Sequence, residues 1–220
     1  MNITHAVHEE VTGDRLAAIF QRQASLMEKY HDIEERSGLL QTKDCPVNLD
    51  DKRGQARIKD FAWRITEELG ESLDATESEH QKEEMIDGLH FLTELTILSG
   101  LSADELASRI MDEFGLKMVS GDDFSVLYVS FNVVWQPAYD KEWFVSSFIR
   151  ELGMMCNCLK NKPWKQSNML TDKKAFYSRL AKVWVYYYGI MVCSLMNDSE
   201  IIDIYFKKSQ VNQFRQRSNY

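Results

Sequence analysis

Apolar residues recur at helical spacing along most of the chain. Between Asp14 and Asp32 they fall at Leu16, Ile19, Phe20, Leu26, Met27 and Tyr30, a pattern that predicts a helix with Asp14 as its N-cap. The polar stretch Ser37 to Asp51, with Gly38, Pro46 and Asn48, reads as a loop. Leu49-Asp50-Asp51 then opens a second helix running to about Thr76, with Ile58, Phe61, Ala62, Ile65, Leu69 and Leu73 on one side. Acidic Glu77 to Glu84 begins a third, whose inner face is Met85, Ile86, Leu89, Leu92, Leu95 and Leu98 and which Gly100 ends. Ser102 followed by Asp104 and Glu105 predicts a capped fourth helix ending near Gly115. Phe124 to Trp135 is apolar and rich in Val and aromatics, a composition that a buried strand and a buried helix share, and Pro137 closes it. Helical patterns return over Lys141 to Asn161 and Asp172 to Met196, with a short one from about Ser199. The expected architecture is an all-α helical bundle, one domain over residues 1–220.

Composition narrows the function classes. A 44% hydrophobic content over 220 residues supports an apolar core and excludes a disordered chain, while 10 Gly and 3 Pro are few turn-makers for a many-stranded fold. No apolar run reaches the ~18 residues of a membrane span. The longest, Val183 to Leu195, contains three tyrosines. Met1-Asn2-Ile3-Thr4-His5 has no basic region leading into an apolar stretch, so a cytoplasmic protein with reduced cysteines (Cys45, Cys156, Cys158, Cys193) is expected. Cys156-Asn157-Cys158 lacks the second pair that a zinc site needs. A net charge of −8 argues against nucleic acid as a partner. The terminal stretch Lys207 to Tyr220 is the local exception, with Lys207, Lys208, Arg215, Arg217 and no acid.

The two halves of the chain look alike. Glu68-Leu69-Gly70 returns as Glu151-Leu152-Gly153, and Glu105-Leu106 as Glu200-Ile201, which suggests a duplicated helical unit over about 52–115 and 141–208. Only the first half carries acids at Glu68, Glu71, Glu84 and Asp87; Met154, Ala181 and Trp184 stand opposite the last three. Glu68 and Glu71 are one helical turn apart, as are Glu84 and Asp87, so an antiparallel pair of helices brings four carboxylates face to face. Such a group repels itself unless a cation neutralises it, and oxygen-only ligation suits Mg²⁺, with Mn²⁺ as a substitute. Solvated helix acids in a non-catalytic interaction module are the competing reading, as is a di-iron site built on the Asp87 and His90 spacing.

Glu68-Leu-Gly-Glu71, twelve intervening residues and Glu84-Met-Ile-Asp87-Gly-Leu-His90-Phe91 resemble the ExxE…ExxD signature of the all-α nucleoside triphosphate pyrophosphatases, in the dimeric dUTPase and phage dCTP-dUTP pyrophosphatase branch. The terminal Lys208-x₃-Asn212-x₂-Arg215-x₄-Tyr220 is similar to that branch's last motif. The resemblance implies a homodimer that hydrolyses a deoxynucleotide, dUTP or dCTP, to the monophosphate and pyrophosphate. Glu68, Glu71, Glu84 and Asp87 would hold Mg²⁺, Glu71 would activate water, and Lys208, Asn212, Arg215 and Tyr220 would grip the phosphates. Gln23 and His90 would meet base or sugar. Gln23-Ala-Ser-Leu-Met27 looks like the family's Gln-x-x-Leu-Asn segment with Met27 in place of the amide, which leaves the base open between uracil, cytosine and a modified pyrimidine. A surplus of aromatics (Trp184, Tyr186, Tyr187, Tyr188) also suggests a dimer.

Overall fold

A computed structural model describes residues 3, 6–8, 10–116, 126–128, 130, 139–162 and 164–217, with the side chain of Arg217 excepted. Seven helices of twelve residues or more account for most of them: α1 (Arg15–Ser37), α2 (Lys52–Asp74), α3 (Ser78–Leu98), α4 (Ala103–Phe114), α5 (Lys141–Cys158), α6 (Lys173–Cys193) and α7 (Asp198–Arg217). No strand occurs among the described residues. The chemistry at the helix starts follows the sequence. Asp14 caps α1 by accepting from the Ala17 N–H at 2.8 Å, and Asp51 caps α2 by accepting from Arg53 and Gly54. Ser102 and Glu105 close a capping box on α4. Of the Phe124–Trp135 segment only 126–128 and 130 are described; these are helical, with Val126, Leu127 and Ser130 buried.

α2 and α3 form one antiparallel hairpin and α5 and α6 another, while α1 and α7 lie together against α3, and α4 packs on α6. The α2–α3 connection is a tight turn, because α2 continues to Asp74 and α3 starts at Ser78. Gln81 ties the turn by donating to the Ser72 carbonyl at 3.0 Å. The last helix is a larger departure. The short element expected from about Ser199 runs twenty residues, to Arg217. Ile201, Ile202, Tyr205, Phe206, Ser209 and Val211 are buried, so one face of α7 belongs to the core and extends the helix through the basic terminus.

α6 is buried on nearly every side, which overturns one argument from composition. Trp184, Tyr186, Tyr187 and Tyr188 are all buried within a single chain, so their number does not call for a second copy to cover them. A helix that is apolar all round sits at the centre of a bundle, and polar tips there need partners. Trp184 Nε1 donates to Thr96 Oγ1 at 2.8 Å, the Tyr187 hydroxyl donates to the Met85 carbonyl at 2.8 Å, and Tyr188 donates to Asp198.

The Tyr187 contact needs a glycine opposite. A methyl group at Gly88 on α3 would collide with Tyr187 Oη and stand 3.4 Å from Glu68 Cβ, so Gly88 lets α6 and α2 both approach the segment that carries Asp87. Gly88→Ala is therefore expected to destabilise the fold by about 2–4 kcal/mol, combining overpacking with a lost buried hydrogen bond. A Tyr187→Phe background, which removes the clashing oxygen, should recover part of that loss. Thermal unfolding of the three variants checks this, and an unchanged midpoint for Gly88→Ala would contradict it.

Candidate active site

The C-terminal half of α2 and the N-terminal half of α3 face each other across their short turn. Glu68 and Glu71 extend from α2 and Glu84 from α3, and one carboxylate oxygen of each lies within 4.8 Å of the others. The burial is graded: Glu68 and Glu84 are half-buried and Glu71 is exposed. Burial and the crowd of negative charge act together on Glu68. Its carboxyl is pushed up to about 8, first by desolvation, then by Asp87 and by a shared hydrogen bond with Glu84. Without a cation, this group is stable only by keeping a proton that an ordinary carboxylic acid would lose. A donor set of three carboxylates, with neither imidazole nor thiolate, fits a hard divalent ion.

Asp87 stands apart from that trio. Its carboxylate takes an ion pair from Lys208 Nζ at 2.5 Å, and the same ammonium reaches Glu83 at 3.7 Å. Burial raises the Asp87 carboxyl above its usual range and Lys208 opposes the shift. Lys208 therefore serves as an internal counter-cation beside the acids. On α7, Lys208, Asn212 and Arg215 follow at i, i+4 and i+7, on one stripe of the helix. Asn212 lines a cavity of about 250 Å³ together with Gln23, Glu68, Asp87, His90 and Glu94. Arg215 is exposed, and its charge is felt at Tyr30 on α1. Tyr220 lies outside the described residues.

The far wall of that cavity is a buried polar network. Gln23 Nε2 donates to Glu94 Oε2 at 2.9 Å, and Gln23 Oε1 accepts from the Tyr205 hydroxyl at 3.1 Å and lies 2.8 Å from His90 Nδ1. The His90 ring stacks on Tyr205 with centroids 3.9 Å apart. Burial, followed by the Lys208 charge, holds His90 down to about 3, so it is neutral. Glu94 is only 4% exposed; the Arg57 guanidinium, 1% exposed, lies 3.9 Å from its carboxylate and His31 Nε2 lies 3.5 Å from it. Arg57 also pairs with Glu34 at 2.6 Å, and Arg64 pairs with the same Glu34 at 2.7 Å.

The structure thus gathers Gln23, Glu68, Asp87, His90 and Asn212 around one cavity, with Glu71 and Glu84 at its acidic edge. Met27 is elsewhere: it is 2% exposed and packed in the apolar core. The sequence pattern does not single out Glu94, Arg57, His31 or Tyr205. Glu94 does carry a readable signal, an acid inside Phe91-Leu-Thr-Glu-Leu-Thr-Ile-Leu98 at seven residues from Asp87, on the same helix face. The cysteines carry no site. All four are free, and burial pushes the Cys156 thiol up to about 11, the reverse of a metal-ligating thiolate. Glu68, Glu71 and Glu84 are the only His/Cys/Asp/Glu group of metal-binding geometry among the described residues, and it contains no histidine, which disfavours a di-iron arrangement.

No helix among the described residues is long and apolar enough to cross a membrane. No curated protein and no solved structure matches the chain. The family model for dUTPase matches residues 70–220, a span that contains Glu71, Glu84, Asp87, His90 and the whole of α7 while α1 and Glu68 precede it. With more than two thirds of its length under that match and an all-α architecture carrying the acidic hairpin, this chain belongs to the dUTPase family.

Proposed function

We propose that the chain hydrolyses a pyrimidine deoxynucleoside triphosphate, dUTP or dCTP, to the monophosphate and pyrophosphate, in the cytoplasm and with Mg²⁺ or Mn²⁺. One observation carries this reading: three carboxylates from two helices converge within 4.8 Å, and one of them, Glu68, lines a cavity of about 250 Å³ together with Asp87, with which the Lys208 ammonium pairs. Glu68, Glu71 and Glu84, joined by Asp87 once Lys208 lets go of it, would be the ligands. A divalent ion bound there would neutralise phosphate oxygens and acidify a water.

Each side chain then has a separate task. Glu71, the most exposed of the acids, is placed to orient the attacking water and take its proton. Water adds to phosphorus, the bridging P–O bond breaks, and pyrophosphate departs. Lys208 exchanges Asp87 for a phosphate oxygen, a swap of one anion for another that keeps the ammonium paired throughout. Asn212 and Arg215 extend that contact along α7, and Tyr220 is assigned to it by the family motif alone. Gln23, His90 and the packed wall behind them receive the nucleoside.

We also propose a homodimer. It rests on the resemblance and on apolar side chains left in solvent on α2, Trp63 at 63% and Leu73 at 46% exposure. Light scattering is expected to give twice the chain mass, and a monomer at micromolar concentration would contradict it.

Catalysis and stability report on the acidic group separately. Glu71→Gln should lower kcat by about 10²–10⁴ while leaving the unfolding midpoint in place, since the side chain is exposed. The assay is release of monophosphate and pyrophosphate from each deoxynucleoside triphosphate, and wild-type inertness toward all of them would refute the function. Stability should depend on pH through Glu68. In the metal-free fold Glu68 keeps its proton to about pH 8, whereas the unfolded chain loses it near 4.5. The corresponding stability is complete below 4.5 and is lost as pH rises through 8. A bound cation takes over the proton's role, so millimolar Mg²⁺ should raise the melting temperature more at pH 8 than at about pH 5.5. Equal shifts at both pH values, or none, would contradict it.

A further inference from the structure

We infer that Glu94, together with Gln23, reads the base, and that the donor and acceptor pattern they present selects cytosine over uracil. This rests on the pyrophosphatase reading above and adds to it a base and a residue that determines it. Asp87 and Glu94 are seven residues apart on α3, so they share a helix face and are separated by about 10 Å along its axis. Both line the same cavity, as do His90 between them and Gln23 from α1. A nucleotide whose phosphates lie at Asp87 and Glu68 therefore brings the far edge of its base to Glu94 and Gln23.

The hydrogen bonds fix what that wall offers. The Gln23 amide is held in one orientation. Its Nε2 donates to Glu94 Oε2 at 2.9 Å, while Oε1 faces Tyr205 Oη at 3.1 Å and His90 Nδ1 at 2.8 Å. The amide nitrogen is thus on the Glu94 side and the amide oxygen on the Tyr205 and His90 side. Tyr205 and the Nδ1–H of a neutral His90 then satisfy the oxygen. This orientation leaves two groups unspent. The second N–H of Gln23 has no acceptor among the described residues, and Glu94 Oε1 accepts no hydrogen bond from them. His31 Nε2 at 3.5 Å and the Arg57 guanidinium at 3.9 Å stand beyond short hydrogen-bond distance from it.

An acceptor beside a donor is the complement of one pyrimidine edge. Cytosine presents its 4-amino group as a donor and N3 as an acceptor, matching Glu94 Oε1 and the Gln23 N–H. Uracil reverses both: O4 would face the carboxylate and N3–H would face the amide N–H. Neither group can turn to accommodate it, because Tyr205 and His90 lock the amide and the amide in turn holds the carboxylate by its Oε2. Burial makes the mismatch costly, since desolvated groups would be left unpaired. Reading from Glu94 also explains why the base wall survives with methionine at position 27, which sits in the core and away from the cavity.

The test compares kcat/KM for dCTP and dUTP in wild type, Glu94→Gln and Glu94→Asp, with Mg²⁺. Wild type is expected to favour dCTP by about a hundredfold or more. Glu94→Gln, whose amide can donate to O4, should move that ratio toward dUTP by a similar factor. Glu94→Asp keeps the charge that Arg57 needs and withdraws the acceptor by one methylene, so it should lose dCTP selectivity even if Glu94→Gln folds poorly. Comparable wild-type turnover of the two substrates, a preference for dUTP, or an equal fall for both substrates in the folded variants would overturn the assignment and leave the pyrophosphatase reading standing. If no triphosphate is turned over, that reading fails instead, and calorimetry with dCMP and dUMP decides the base: tighter dCMP supports Glu94, while equal or absent binding rejects it.

Discussion

Repulsion among carboxylates is the constraint on which the site depends. Glu68, Glu71 and Glu84 meet within 4.8 Å and Asp87 follows one turn later, partly shielded from water. A fold that gathers acids in this way must supply a proton, a lysine or a metal ion. The structure shows the first two, a proton favoured on Glu68 and Lys208 drawn onto Asp87. Both are groups that a divalent cation and a phosphate chain would displace.

That arrangement is held by the bundle rather than by the hairpin alone. Gly88 admits Tyr187 and keeps α6 against α3, and Gln81 clips the turn between the two acidic helices. On the other side, α1 and α7 close the cavity through contacts that are polar and buried: Gln23 to Glu94, Tyr205 to Gln23, Arg57 between Glu34 and Glu94. Removing one partner from such a network strands the rest, which ties this wall of the cavity to the stability of the bundle.

Much of this architecture is legible in the amino-acid sequence, and the exceptions have physical causes. The helix period and the capping residues Asp14, Asp51 and Ser102 place most elements, and the ExxE and ExxD spacings place the acids. The length of α7 is harder to see, because its buried face alternates with lysines and glutamines and the segment has the composition of a solvated tail. The aromatics of α6 look like excess only because sequence does not reveal that this helix lies at the centre. Glu94 is hidden for a different reason. An acid in an apolar helix is legible, but the Arg57 that makes it tolerable comes from another helix, and tertiary pairing of that kind leaves no local pattern.

Anomalous scattering tests the central claim most directly. Crystals grown with Mn²⁺ in place of Mg²⁺ should show a peak in the anomalous difference map among the carboxylates of Glu68, Glu71 and Glu84, with Lys208 released from Asp87. Manganese found only elsewhere on the molecule, or this acidic group still holding its lysine and proton with no peak at saturating metal, would contradict the account.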